Sequence, residues 1–318
     1  MQSKRYVLVL DKESGPSSFS YIPKLRRALA LRRIGHAGTL DPFATGLMLY
    51  AIGPACAALQ FMEVMDKSYE LTAVFGESRD SYDRTGVITD QLSPEELNNR
   101  LEQVDWNQSI AQLCGAVSQT VPIYSAVKRG GRPLYAYARS GEAVELPQRE
   151  VKIELLDRSE LYQSEAGPAM DFRLKVSKGT YIRSFVHDLG LETGLLAYCQ
   201  DLRRFELGAI KLTQAQTWQS VEEALAKLPE AADSSRKLEL LAELGILRPI
   251  EEIFKSQPQY ALTAAEAKAF LHGQSLGKTD FSGELALTYE GVILGFAEAK
   301  AGLEMKSKRV FYQSAEVF

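Results

Sequence analysis

The chain has 318 residues, 45% of them apolar and 25% charged, and a formal charge of −4. That length suits two domains of unequal size, and the composition is that of an ordinary globular protein. No run approaches the roughly 18 uncharged apolar residues of a membrane-spanning helix. The apolar Val7–Leu10 stops at Asp11, too short for the core of a secretory signal, so a cytoplasmic protein is expected. Three cysteines (56, 114, 199) and three histidines (36, 187, 272) lie scattered without a CxxC pair. That spacing argues against a zinc site or a disulfide framework.

In chain order, Tyr6–Leu10 reads as a strand that breaks in a Gly/Pro loop over 11–16. Ser18 or Ser20 is placed to cap a helix running to about Leu31, with Ile22, Leu25 and Leu29 on its apolar face. The Gly-, Thr- and Pro-rich stretch 34–44 excludes a long regular element, and a helix is expected from Pro54. Lys67–Phe75 alternates as a strand does, 77–85 is a polar loop, and Ser93-Pro-Glu-Glu96 opens a helix. Residues 120–147 are loop-rich. Val151–Leu161 and Met170–Val176 read as strands, Phe185–Leu196 as a helix with Arg203 and Arg204 just beyond it, and 220–254 as an acidic helical block. From about Gln257 a short helix, Ala264–His272, and strands with glycine turns suggest a small β-rich appendage.

Charge is unevenly spread. Residues 1–60 hold eight Lys/Arg against three acids, a net of +5, whereas 217–256 hold eight acids against five bases, a net of −3. A basic stretch of this kind suits a polyphosphate ligand, which is bound through counterion release. A solvated helix face over 24–33 would look similar. Gly273-Gln-Ser-Leu-Gly277-Lys278-Thr279 has three residues between its glycines where a phosphate loop has four, and no GxGxxG or GxSxG occurs. Nucleotide-dependent transfer and serine-hydrolase chemistry therefore find no support.

The distinctive segment is Gly35-His-Ala-Gly-Thr-Leu-Asp-Pro-Phe-Ala-Thr-Gly-Leu47. It sets one carboxylate, Asp41, in a glycine-rich turn where the backbone can approach a ligand closely. Spacing alone would equally allow Asp41 to be a helix cap. The string closely resembles the signature of the TruB family of tRNA pseudouridine-55 synthases. Asp11-Lys-Glu-Ser-Gly-Pro-Ser-Ser18 resembles that family's Asp-Lys-Pro-x-Gly-x-Ser-Ser element, with Glu13 where proline is usual. Asp66-Lys-Ser-Tyr69, Pro122-Ile-Tyr-Ser-Ala-Val-Lys128, Ser177-Lys-Gly-Thr-Tyr-Ile-Arg183 and Leu202-Arg-Arg204 follow in the family's order.

The resemblance implies an α+β fold: a pseudouridine-synthase-like mixed, mostly antiparallel sheet with flanking helices over 1–250, and a small β-rich PUA-like RNA-binding domain over 251–318. It implies an RNA isomerase that converts uridine to pseudouridine in the T-arm stem-loop of tRNA. The N1–C1′ bond breaks, the base turns, and C5 rejoins C1′, which needs no cofactor and no metal. Asp41 is the essential carboxylate, free to attack C1′, to remove a 2′ proton or to add to the base. Arg183 is its counter-ion. Tyr69 presents a ring to the flipped base and a hydroxyl for the C5 proton. Leu202 walls the pocket, Lys12 supports it, and His36 fills the space the base leaves. Lys128, Arg203 and Arg204 are expected to contact phosphates. A monomer with no obligate protein partner and no membrane association is expected. A guide-RNA-dependent relative and an RNA chaperone are the rival readings.

Overall fold

A computed structural model of the chain describes residues 5–312 and residue 317. The start of the N-terminal stretch, on which the expectation against a secretory signal bears, lies outside the described residues. By packing, the chain forms two discontinuous units. One consists of the segments up to Asp41, from Leu47 to Glu63 and from Ala209 onward; the other of Pro42–Gly46 and Val64–Gly208.

The Pro42–Gly46/Val64–Gly208 unit is built on an antiparallel sheet. In spatial order its strands are Ala197–Leu207, Lys67–Phe75, Gly167–Val176, Gln148–Arg158 and Gly115–Thr120. Thr45 and Gly46 add a parallel edge against Arg203 and Arg204. The expected alternation in Lys67–Phe75 holds in the middle of the strand, where Tyr69, Leu71 and Ala73 are buried and Glu70 is exposed, while both ends of the strand are buried on either face. The helix Ile182–Thr193 packs over the strand Ala197–Leu207, with Phe185 edge-on to Phe172 at 5.6 Å. It begins three residues before the expected Phe185–Leu196 span and stops at Gly194, whose left-handed backbone (φ +67°) ends the helix. Ser93 and Glu96 form the full reciprocal cap expected of Ser93-Pro-Glu-Glu96. The loop-rich 120–147 contains a short hairpin, Lys128–Arg129 with Arg132–Pro133, and a helix, Leu134–Ser140.

In the other unit Tyr6–Lys12 neighbours the strand that continues through Leu47–Ile52, pairs in parallel with Gln216–Thr217 and antiparallel with Leu247–Pro249. Ile34–Ala37 lies antiparallel on Leu49–Ile52. The helix Tyr21–Leu29 buries Ile22, Leu25 and Leu29 as read; Ser20 takes the cap position but makes no side-chain cap bond. The helix expected from Pro54 is a 3₁₀ turn, Gly53–Ala58, leading into Leu59–Glu63. The acidic block is helical over Trp218–Ala226, Ser234–Glu243 and Ile250–Ile253.

The C-terminal β domain is a curled five-stranded sheet ordered Gln259–Ala261, Gly283–Tyr289, Val292–Ala299, Glu304–Val310 and Leu276–Lys278. Its Phe296 stacks on Phe61 with ring centroids 4.0 Å apart, and meets Phe254 edge-on at 4.9 Å. The β domain belongs to the packing unit that also holds the segments up to Asp41 and from Leu47 to Glu63. Among the described residues no helix is long and apolar enough to cross a membrane.

Candidate active site

Asp41, His36 and Lys12 belong to one packing unit. Asp41 is half-buried, one residue beyond Leu40, whose backbone is held twice by one hydroxyl. The Ser18 Oγ donates to the Leu40 carbonyl at 2.8 Å and accepts from the Leu40 amide at 2.9 Å. The Ser18 carbonyl in turn accepts from the Tyr50 hydroxyl at 2.8 Å. These bonds fix the backbone from which the Asp41 side chain departs. Ser18 therefore does more than close the Asp11–Ser18 loop, a role its position in a capping pattern concealed.

Lys12 ends its strand fully buried, 0% exposed, and donates to the Glu13 carbonyl at 2.8 Å. Burial pulls its ammonium from the ordinary 10.5 down to about 8, while the carboxylates of Asp41 and Glu13 pull it back up. The buried Lys12 ammonium and the Asp41 carboxylate thus attract one another. His36 sits on Ile34–Ala37, half-buried, its Nε2 3.0 Å from the Thr39 hydroxyl and its ring 6.0 Å from that of Tyr50.

Tyr69, Arg183, Leu202, Arg203, Arg204 and Lys128 belong to the other unit. Strand register sets Tyr69 opposite Arg204, Glu70 opposite Arg203 and Leu71 opposite Leu202, so Tyr69, Leu202 and Arg204 share a face and Arg203 points to the other. Arg204 is 1% exposed. Its Nη1 donates to the Tyr69 hydroxyl at 3.4 Å, and its guanidinium lies 6.0 Å from the Tyr69 ring centroid. The expectation that Arg204 contacts phosphates from the surface is corrected accordingly: the strand buries it, and it orients a tyrosine. Arg203 instead lines a cavity of about 580 Å³ with Phe43, Thr45, Thr72, Asp171 and Arg173. Lys128 is exposed on the Lys128–Arg129 strand.

Arg183 is 3% exposed. Its Nη1 donates to the Ser81 carbonyl at 2.6 Å and lies 3.5 Å from Asp83, and its Nη2 donates to the Tyr124 carbonyl at 2.9 Å. Asp83, itself 4% exposed, escaped the sequence reading because the polar loop 77–85 carries no periodicity to mark a buried side chain. A charged residue buried beside an arginine is recognisable only once the chain has folded.

These side chains stand on a mixed α/β framework with a large, mostly antiparallel sheet and a curled C-terminal β domain. Among solved structures, that of a Cbf5–Nop10–Gar1 complex matches with a TM-score of 0.68 at 22% identity, covering 99% of this chain and 87% of that one. An archaeal box H/ACA Nop10–Cbf5 complex matches with a TM-score of 0.64 at 18% identity, covering 99% and 88%. The fold is that of the pseudouridine synthases. In sequence, residues 26–182 match the TruB family pseudouridylate synthase (N terminal domain). The tRNA pseudouridine synthase B of Lactobacillus gasseri is 34% identical over 290 residues, 90% of this chain and 92% of that protein. That of Azoarcus sp. is 33% identical over 305 residues, covering 96% and 94%. The chain belongs to the TruB family.

Proposed function

We propose that this protein converts uridine 55 in the T loop of tRNA to pseudouridine, acting as a monomer in the cytoplasm without a guide RNA or protein partner. The observation that most supports the reading is the setting of Asp41: a half-buried carboxylate on a backbone pinned at Leu40 by Ser18, with the buried Lys12 ammonium acting on it. A helix cap needs none of this apparatus.

Asp41 supplies the reacting carboxylate and Arg183 balances its charge. The uracil lies against the Tyr69 ring, whose hydroxyl is oriented by Arg204 and takes part in moving the C5 proton, and Leu202 closes the pocket with apolar surface. His36 occupies the space vacated when the nucleotide is extruded, a step that costs a few kcal/mol. Arg203 and Lys128 hold phosphates. The isomerisation removes a proton from C5 and adds one at N1, with no net loss, so the site must keep the detached base in place while it turns.

The test uses the purified chain alone with an unmodified tRNA transcript carrying tritium at C5 of its uridines. Tritium release without added guide or partner is expected, and Asp41→Asn is expected to abolish it. Release by Asp41→Asn at the rate of the unaltered chain removes Asp41 from the chemistry. Release only after a guide or partner protein is added overturns the stand-alone reading.

A further inference from the structure

Both carbonyls that accept from Arg183, and the carboxylate beside it, come from two loops, so the direction of the guanidinium depends on how those loops are held. Asp83 is fixed from within its own turn: its Oδ1 accepts from the Ser81 hydroxyl at 2.9 Å, the Thr85 amide at 2.9 Å and the Thr85 hydroxyl at 2.6 Å. The Tyr124 hydroxyl donates to Asp80 at 2.8 Å, tying the second carbonyl to the same loop. Between the Ser81 carbonyl and the Asp83 carboxylate the chain passes through Tyr82.

Tyr82 has φ +62°, a left-handed conformation that a bulky side chain adopts only when its surroundings impose it. Its amide donates to the Arg79 carbonyl at 3.0 Å, and its carbonyl accepts from the Cys199 amide at 2.9 Å. Its ring lies flat on the imidazole of His187, with centroids 3.8 Å apart and planes 8° from parallel. His187 is four residues after Arg183 on the helix Ile182–Thr193, one turn along the same side. A single helix thus carries both the guanidinium and the ring that holds the loop around it.

We propose that His187 is a positioning residue for pseudouridine formation: by stacking on Tyr82 it holds the left-handed turn that aims the Ser81 carbonyl and the Asp83 carboxylate at Arg183. The proposal rests on the role assigned above to Arg183. On that role, a small displacement of the Arg183 guanidinium is expected to cost rate and to leave RNA affinity unchanged, since the phosphate contacts were assigned to Arg203 and Lys128.

The experiment measures single-turnover tritium release with enzyme in excess, tRNA affinity by filter binding, and melting temperature, for His187→Ala, His187→Phe, Arg183→Lys and the Arg183→Lys/His187→Ala pair, with Asp41→Asn as control. His187→Ala is expected to slow the chemical step about tenfold or more with tRNA affinity unchanged. His187→Phe, which restores a flat ring, is expected to recover most of that rate. In the Arg183→Lys background the alanine substitution is expected to add little, since two changes in one chain of contacts are not additive. Should the alanine variant be unstable, His187→Leu keeps bulk and helix propensity without the flat face and carries the same expectation. An unaltered rate, a loss that phenylalanine does not recover, or a loss that multiplies fully with Arg183→Lys overturns the proposal. An inactive Asp41→Asn beside an unaffected His187→Ala removes the proposal alone; an active Asp41→Asn removes the reading beneath it as well.

Discussion

Asp188 illustrates how a single carboxyl answers to its surroundings. It follows His187 on the same helix, and burial raises it from the ordinary 3.8 to about 6. A folded-state value above the unfolded one means that the native chain holds the extra proton between pH 4 and 6. Stability is therefore lost as pH rises through that window, and the full cost of a buried charge is present above it. Asp188→Asn removes the charge, so it is expected to raise the unfolding free energy read from urea titration at pH 7.5, by at most about 3 kcal/mol at 1.4 kcal/mol per pKa unit, and to leave it nearly unchanged at pH 4. Equal shifts at both pH values would show that the gain comes from packing. The same physics separates the site arginines. Arg203 and Arg204 are adjacent in sequence and alike in chemistry, yet the strand turns one into a cavity on one face and buries the other against Tyr69 on the opposite face.

Among the elements, the strand Thr45–Ile52 shows why its motif contains a glycine. Gly46 has φ +105°, and a β-carbon there would overlap the backbone of Arg204. Gly46→Ala is expected to destabilise the protein by about 2–4 kcal/mol, combining a forbidden backbone with a steric clash, read as a fall in melting temperature; a change under about 1 kcal/mol would mean that the strand can shift. Much at this scale was legible. The alternation of Lys67–Phe75 and the cap at Ser93 and Glu96 are local patterns, and local patterns act before tertiary contacts form. The start of the helix Ile182–Thr193 was not legible, because Tyr181 caps it without a side-chain bond. Arg183, which the expected Phe185–Leu196 span left outside the helix, is the helix's second residue. Neither was the strand Ala197–Leu207, whose charged Asp201, Arg203 and Arg204 break the apolar alternation that marks a strand.

For the molecule as a whole, a net charge of −4 does not preclude binding to RNA, because affinity for a polyanion depends on where cations are placed. Lys128→Gln and Arg203→Gln are each expected to lower the slope of log affinity against log salt by about 1, without changing which RNA is preferred. Arg204→Gln, buried, is expected to leave the slope alone and to lower stability and turnover. An unchanged slope in Lys128→Gln would place that lysine off the RNA. The packing of the C-terminal β domain through Phe296 onto Phe61 also belongs to this scale: a change of texture near residue 257 is visible in sequence, but the partner of an apolar face is not.

The sequence by itself determined the glycine-rich turn around Asp41, the family to which it points, and the local elements, because turn geometry, capping and periodicity are properties of short segments. Only the tertiary structure decided which charged side chains are buried. Lys12, Arg204, Arg183 and Asp83 are all buried, and Arg204 meets Tyr69 while Arg183 meets Asp83, partners about a hundred residues or more away in sequence. A buried charge is tolerated only where the fold supplies its partners, and no stretch of neighbouring residues records that provision.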